Sequence, residues 1–339
     1  MKPSWTKRSN KHVSDTAPSK PAWAHRGAKS ARLSRSTSAP SSGQLTPALD
    51  PGNLERAWTT ATLGPRLRSA GLPGWWVALM LEASAVALGQ SVVTGLEIFS
   101  GVGNLSSGFR SLVGPVLTFE ILQNPSHDIL DTYGMKELLV MVLRIMQGGW
   151  LWLGTPCKSW VVLSRAFTRR TVMAPQGPPP GSTSRRQRQY LDEHNTIALI
   201  TSYLMISAAA MGIFPILEQP QSSLLFRYPP IAKALLQCKC HHVAVRIAAF
   251  GGSSPKPLIL KGSGVFMKTF EEVYHLRKGR PSASASGRLA VHTKGGFTGK
   301  KDMLTESSSY TRAFGLAMAW SFLGLSADDI CKNLDRLGE

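Results

Sequence analysis

From about residue 75 onward, apolar residues fall into runs of two lengths, separated by polar or glycine-rich turns. Trp75–Leu88 (WWVALMLEASAVAL) has helical length and predicts an apolar helix leading into the folded part. The runs Val92–Phe99, Pro115–Ile121 and Trp150–Leu153 are too short for buried helices and end in Gly or polar residues, so they predict strands. Leu105–Leu112, Lys136–Met146 and about Tyr190–Met211 predict the helices between them, and IFPIL, ending at Leu217, a further strand. A last helix is expected at Tyr310–Leu323. Alternation of short strands with helices predicts an α/β fold with a doubly wound, mostly parallel sheet. Ile197–Leu217 is almost uncharged and long enough to span a bilayer. Gly212 and Pro215 divide it into a helix and a strand, so a core reading is preferred and no membrane partner is expected.

Before residue 56 the pattern changes. Residues 1–55 are rich in Ser, Pro, Ala and basic residues, with Asp15 the only acid before Asp50. Such a segment buries too little apolar surface to offset its ordering entropy, which predicts a disordered tail. The expected organisation is therefore a tail at 1–55, a helical lead-in at 56–90 and one domain at 91–325. A long loop at 165–188 carries six arginines and no acid. Lys and Arg outnumber Asp and Glu 39 to 20, for a net charge of +19. That excess points to a polyanionic partner, nucleic acid first. The arginine loop is either a phosphate clamp or a solvated surface loop. The tail suits both an organellar transit peptide and a basic nucleic-acid arm, which places the protein inside the cell, in the nucleus or an organelle. Four cysteines make no disulfide framework and fit a reducing compartment. Cys238-Lys239-Cys240-His241-His242 lacks the second half of a zinc motif, so no metal is expected.

Chemistry concentrates at the ends of the predicted strands. After Phe99 the turn SGVGN supplies Gly101 and Gly103 just where a helix opens, and its exposed N–H groups suit a bound ligand. Glu120 ends the next strand about twenty residues on, where a Rossmann-type acid accepts from ribose hydroxyls. Cys157 follows Pro156 in a turn at the carboxyl end of Trp150–Leu153, with Lys158 and the basic loop beyond favouring its thiolate. Glu218 ends the IFPIL strand on the same edge, where partial burial raises a carboxyl group's affinity for its proton.

In this order the motifs resemble those of the cytosine-5 DNA methyltransferases. FSGVGNLSSGF resembles the family's first motif through Phe99, Gly101 and Gly103, with Asn104 in place of a common glycine. TPCKSW resembles the Pro-Cys-Gln catalytic loop, and LEQP the Glu-Asn-Val motif. The resemblance covers about Val92 to Gly252. It implies a Rossmann-like methyltransferase fold and S-adenosyl-L-methionine as cofactor, bound by Phe99, Gly101, Gly103, Asn104, Glu120, Asp128 and Pro156. It also implies transfer to cytosine carbon 5 through a covalent Cys157 adduct, with Glu218 holding ring nitrogen 3 and Arg246 bracing the base. Lys158 stands where the family has Gln, and Gln219-Pro220 where it has Asn-Val. Too little sequence follows Gly252 for a large target-recognition region. DNA is the expected substrate, with RNA and a catalytically idle nucleic-acid binder as the alternatives, and a small-molecule methyltransferase disfavoured by the charge.

Overall fold

The computed structural model describes residues 56–252, 257–279, 290–293, 296–299 and 310–338. The expected tail at 1–55 lies outside them. Six strands form one sheet: β1 (Val93–Ile98), β2 (Val116–Phe119), β3 (Ile145–Leu153), β4 (Phe214–Pro220), β5 (His241–Arg246) and β6 (Pro257–Gly262). Their order is β2-β1-β3-β4-β6-β5. The first four run parallel, while β6 is antiparallel to both β4 and β5. The protein is thus α/β with a mixed, mostly parallel sheet. A separate hairpin pairs β7 (Ala290–Thr293) with β8 (Gly296–Gly299).

Strand alternation divides the core into two layers. On one face Leu96, Ile98, Leu151, Leu153 and Leu217 join a cluster with helices α1 (Thr60–Ser69), α2 (Gly74–Leu88), α4 (Thr132–Leu143), α6 (Arg185–Ala210) and α7 (Pro229–Gln237). On the other, Trp150, Trp152, Ile216, Val243 and Leu260 pack with α3 (Asn104–Leu112), α8 (Phe266–Arg277), α9 (Arg312–Phe322) and α10 (Ala327–Arg336). Helix α10 lies past residue 325, where the domain was expected to end, and it buries Ile330, Cys331 and Leu334 in that second layer.

Three element boundaries differ from expectation for identifiable reasons. Strand β3 begins at Ile145 rather than Trp150, so the helix expected to reach Met146 stops at Leu143. The polar and glycine residues Gln147–Gly149 hide the strand's start in the sequence, and Gly148 carries a φ of 72° that only glycine adopts easily. The basic loop is shorter than expected: α5 (Arg165–Thr168) occupies its start, and α6 takes over at Arg185 behind a Ser184 cap. The apolar stretch Ile197–Leu217 divides into the end of α6 and β4. Among the described residues no helix is long and apolar enough to cross a membrane.

Helices α3 and α9 touch backbone to backbone. A Cβ added at Gly108 would lie 2.5 Å from the carbonyl carbon of Gly315, and one at Gly315 2.9 Å from the carbonyl oxygen of Asn104. Gly108→Ala must therefore force the helices apart, at a cost of about 1–3 kcal/mol. Urea unfolding will show this loss, whereas Ser107→Ala, on the exposed face of the same helix, will leave the midpoint nearly unchanged.

Candidate active site at the carboxyl edge of the sheet

Strand order reverses at β1: β2 lies on one side and β3 on the other. At such a switch point the connections leave in opposite directions and open a crevice beyond the carboxyl ends. A cavity of about 550 Å³ occupies that position, lined by Phe99, Gly101, Glu120, Asp128, Pro156, Cys157 and Glu218 among others. Seven of the ten residues singled out in the sequence therefore meet in one hollow. From β2 to β4 it spans three strand spacings, roughly 14 Å.

The glycine turn and Glu120 are joined directly. The Gly101 N–H donates to Glu120 Oε2 at 2.9 Å, and the Leu122 N–H to Oε1 at 3.1 Å. Each carboxylate oxygen keeps a second lone pair for a ligand hydroxyl. His127 stacks on Phe119 and takes the Glu120 N–H on Nδ1 at 3.1 Å, while its Nε2 faces Glu137 at 3.4 Å. Phe99 has a φ of 61°, a left-handed conformation costly for a bulky side chain, at the point where β1 gives way to the turn. Asp128 lines the cavity with part of its carboxylate engaged, since Oδ1 accepts from the Leu130 N–H at 2.9 Å.

The Cys157 loop is held from three sides. The Gly154 N–H donates to the Ile98 carbonyl at 3.1 Å, tying the end of β3 to β1. Gln219, fully buried, donates through Nε2 to the Thr155 carbonyl at 2.5 Å and accepts from Ser223 Oγ at 2.8 Å. On the far side Arg170 lies over the Trp160 ring, 3.6 Å from its centre. Its Nε and Nη2 donate to Ser159 Oγ and its Nη1 to Asn195 Oδ1 and the Pro175 carbonyl. Burial lowers its pKa to about 10, so it stays charged at neutral pH. Arg170 is only 1% exposed, so this arginine is a brace for the loop and not the phosphate clamp considered from sequence.

Three expected site residues stand apart. Gly103 and Asn104 do not line the cavity; Gly103 is the left-handed N-cap of α3, and Asn104 Nδ2 donates to the Tyr310 carbonyl at 2.6 Å. Arg246 is exposed on β5. Reversed β6 lies between β5 and β4, which displaces Arg246 from Glu218, and its neighbour Ile247 lines the cavity instead.

Four further residues shape the site. Tyr310, entering α9, is half-buried on the cavity wall. Its hydroxyl accepts from Trp152 Nε1 at 3.0 Å and bonds the Glu218 side chain; burial, with Glu218 and Glu97 nearby, holds its pKa well above the usual tyrosine range. His194 Nδ1 bonds the Tyr190 carbonyl at 2.9 Å, and a carbonyl only accepts, so the ring proton sits there. That leaves Nε2 as a bare acceptor, buried without a hydrogen-bond partner, and burial lowers the ring's pKa. Ser100 Oγ, on the cavity wall, is likewise buried and unpartnered. Glu97, fully buried on β1, accepts from the Ser106 N–H and hydroxyl through Oε2, and its Oε1 has no partner. Tyr310 had no local signal, because its partners Trp152 and Glu218 lie far away in sequence. Among the described residues no group of three or more His, Cys, Asp or Glu is placed to hold a metal ion.

Desolvation pushes the Glu97 pKa from 4.5 up to about 7. A raised folded-state pKa means stability that is complete below the unfolded value of 4.5 and lost as pH rises through about 7. Glu97→Gln keeps an acceptor for Ser106 and cannot ionise. Relative to wild type, the variant will gain stability between pH 5 and pH 8.5, on the order of 2–3 kcal/mol. Parallel unfolding midpoints across that range would refute the assignment. No known protein-family model and no curated protein matches the chain.

Proposed function

We propose that the protein is a cytosine-5 nucleic-acid methyltransferase that uses S-adenosylmethionine, on a Rossmann-like fold. The observation that carries this reading is the single cavity in which the glycine turn and Glu120 meet Cys157 and Glu218. The switch-point position supports the nucleotide-binding half, because an adenosyl group needs a ribose acceptor and a close backbone approach. Glu120, Gly101, Ser100 and Asp128 would hold the cofactor, and the unpartnered Ser100 hydroxyl is a buried donor suited to it. Bound there, S-adenosylmethionine supplies an electrophilic methyl group.

The chain's own residues account for the rest of the chemistry. Cytosine carbon 5 is a weak nucleophile until a thiolate adds to carbon 6, and Cys157 is the nucleophile on this cavity wall. Addition forms an S–C6 bond and pushes charge onto ring nitrogen 3. Glu218, bonded to the Tyr310 hydroxyl, is the group that holds or protonates that nitrogen. Once carbon 5 is methylated its proton must leave, and the returning electron pair expels the Cys157 thiolate. The bare Nε2 of His194 is a neutral acceptor on the same wall for a proton released in the cycle. A nucleobase in a duplex reaches such a cavity only by leaving the stack.

An oligonucleotide carrying 5-fluorocytosine tests the mechanism, because fluorine cannot leave carbon 5 as a proton. With S-adenosylmethionine present, the wild-type protein will form a covalent complex on DNA or RNA, and Cys157→Ser will abolish it. Cys331→Ser, buried in the second core layer, will not. Methyl incorporation that persists in Cys157→Ser would overturn the cytosine-5 mechanism. Cofactor binding and nucleic-acid binding without trapping would favour the idle binder instead. Separately, Glu120→Ala will weaken S-adenosylmethionine binding by about 1.5–3 kcal/mol in calorimetry, the value of the lost charge-assisted bonds.

A further inference from the structure

Beside the Cys157 cavity lies a second hollow of about 500 Å³, lined by Phe167, Arg186, Gln189, Tyr190 and Glu193. Glu193 lines both, so the two share a wall. Phe167 and Tyr190 meet edge to face, with centroids 5.4 Å apart. Phe167 is 46% exposed, yet its backbone is held: Gln187 Nε2 donates to its carbonyl, and the next residue, Thr168, is buried. Within six residues of it along the chain, Leu163, Val172 and Met173 are also exposed, an unusual density of apolar surface.

The hollow also holds one acid, Glu193, which accepts from Gln189 Nε2 at 3.1 Å, and arginines outnumber it around the rim. Arg188 is paired with Asp192, and Arg170 is buried over Trp160. Arg185 and Arg186 are exposed and make no ion pair among the described residues. Arg169, also exposed, reaches only the Ser182 carbonyl. Two aromatic rings in edge-to-face contact and guanidinium groups that outnumber the single acid form a combination that suits a single-stranded nucleotide: the base stacks, and the phosphate meets arginine.

We infer that this hollow is a subsite for the nucleotide next to the target base, with the base against Phe167 and Tyr190 and its phosphate at Arg186. Its role beside a target base rests on the reading of the Cys157 cavity given above, whereas its affinity for a single strand does not. Paired bases within a duplex hide the faces that these rings need, so the preferred ligand is single-stranded or locally opened.

The test is fluorescence anisotropy of the full chain with labelled single-stranded DNA, single-stranded RNA and duplex DNA over a range of salt. Wild type will bind the single strands more tightly than the duplex. Phe167→Ala and Phe167→Leu will each weaken that binding on the order of tenfold, the size of one lost base–aromatic stack. The leucine variant keeps the bulk and removes only the ring face. Arg186→Ala will reduce the salt slope by about 0.7, the share of one phosphate contact on a single strand. Arg246→Ala, on the edge strand, will change neither. Unchanged binding in both Phe167 variants, no binding of single strands by wild type, or equal competition by an acidic peptide would each overturn the subsite. Loss of binding in the Phe167 variants of a protein that never traps 5-fluorocytosine would keep the subsite and reject methyl transfer. Trapping with unchanged oligonucleotide affinity in those variants would do the reverse.

Discussion

The contact between Gly108 and Gly315 is the constraint on which the site's geometry depends. Helix α3 begins at the glycine turn, and α9 begins just after Tyr310. Because the two helices meet without side chains between them, Tyr310 is carried against Trp152 and Glu218, more than ninety positions from the latter in sequence. The Asn104–Tyr310 hydrogen bond locks the same junction from the side. Any larger residue at the crossing lifts one wall off the cavity.

The interior and the surroundings of the site have opposite electrostatic character. Glu97, Glu120 and Glu218 lie at or near the carboxyl edge of the sheet, in a chain whose net charge is +19. Glu120 is stabilised by backbone N–H groups, Glu97 is buried with only Ser106 as donor, and Glu218 shares a hydrogen bond with a phenol. These are three different environments for one functional group, and for Glu97 burial raises the pKa to about 7. Exposed arginines stand outside, Arg169 just after α5 and Arg185 and Arg186 on α6.

Much of this was legible in the sequence, for a physical reason. Strand ends punctuated by Gly, Pro or acid announce themselves locally, so Phe99, Gly101, Glu120, Cys157 and Glu218 were readable as edge residues, and all line the cavity. What escaped was decided by tertiary contacts. Arg170 looks like its solvated neighbours until Trp160 and Ser159 enclose it. His194 and Tyr310 lie in ordinary helical surroundings, and only the fold turns them toward Cys157 and Glu218. Arg246 was misplaced because no local pattern tells a parallel strand from a reversed one, and β6 separates it from β4.

That reversed strand also orders the events of biosynthesis. The first four strands can pair as they emerge, since every partner of β1 to β4 except β6 precedes the end of β4 in the chain. Strand β5 differs: among the described residues its neighbour in the sheet is β6 alone, which follows it. While the ribosome is between the two, β5 is an unpaired strand, and the edge of β4 is open beside Glu218. Unpaired edges of this kind recruit other chains. The half of the sheet that carries the glycine turn can therefore assemble early. The wall bearing Tyr310 follows all six strands of the sheet in the chain, so a nascent chain holds an incomplete pocket until that residue has left the ribosome.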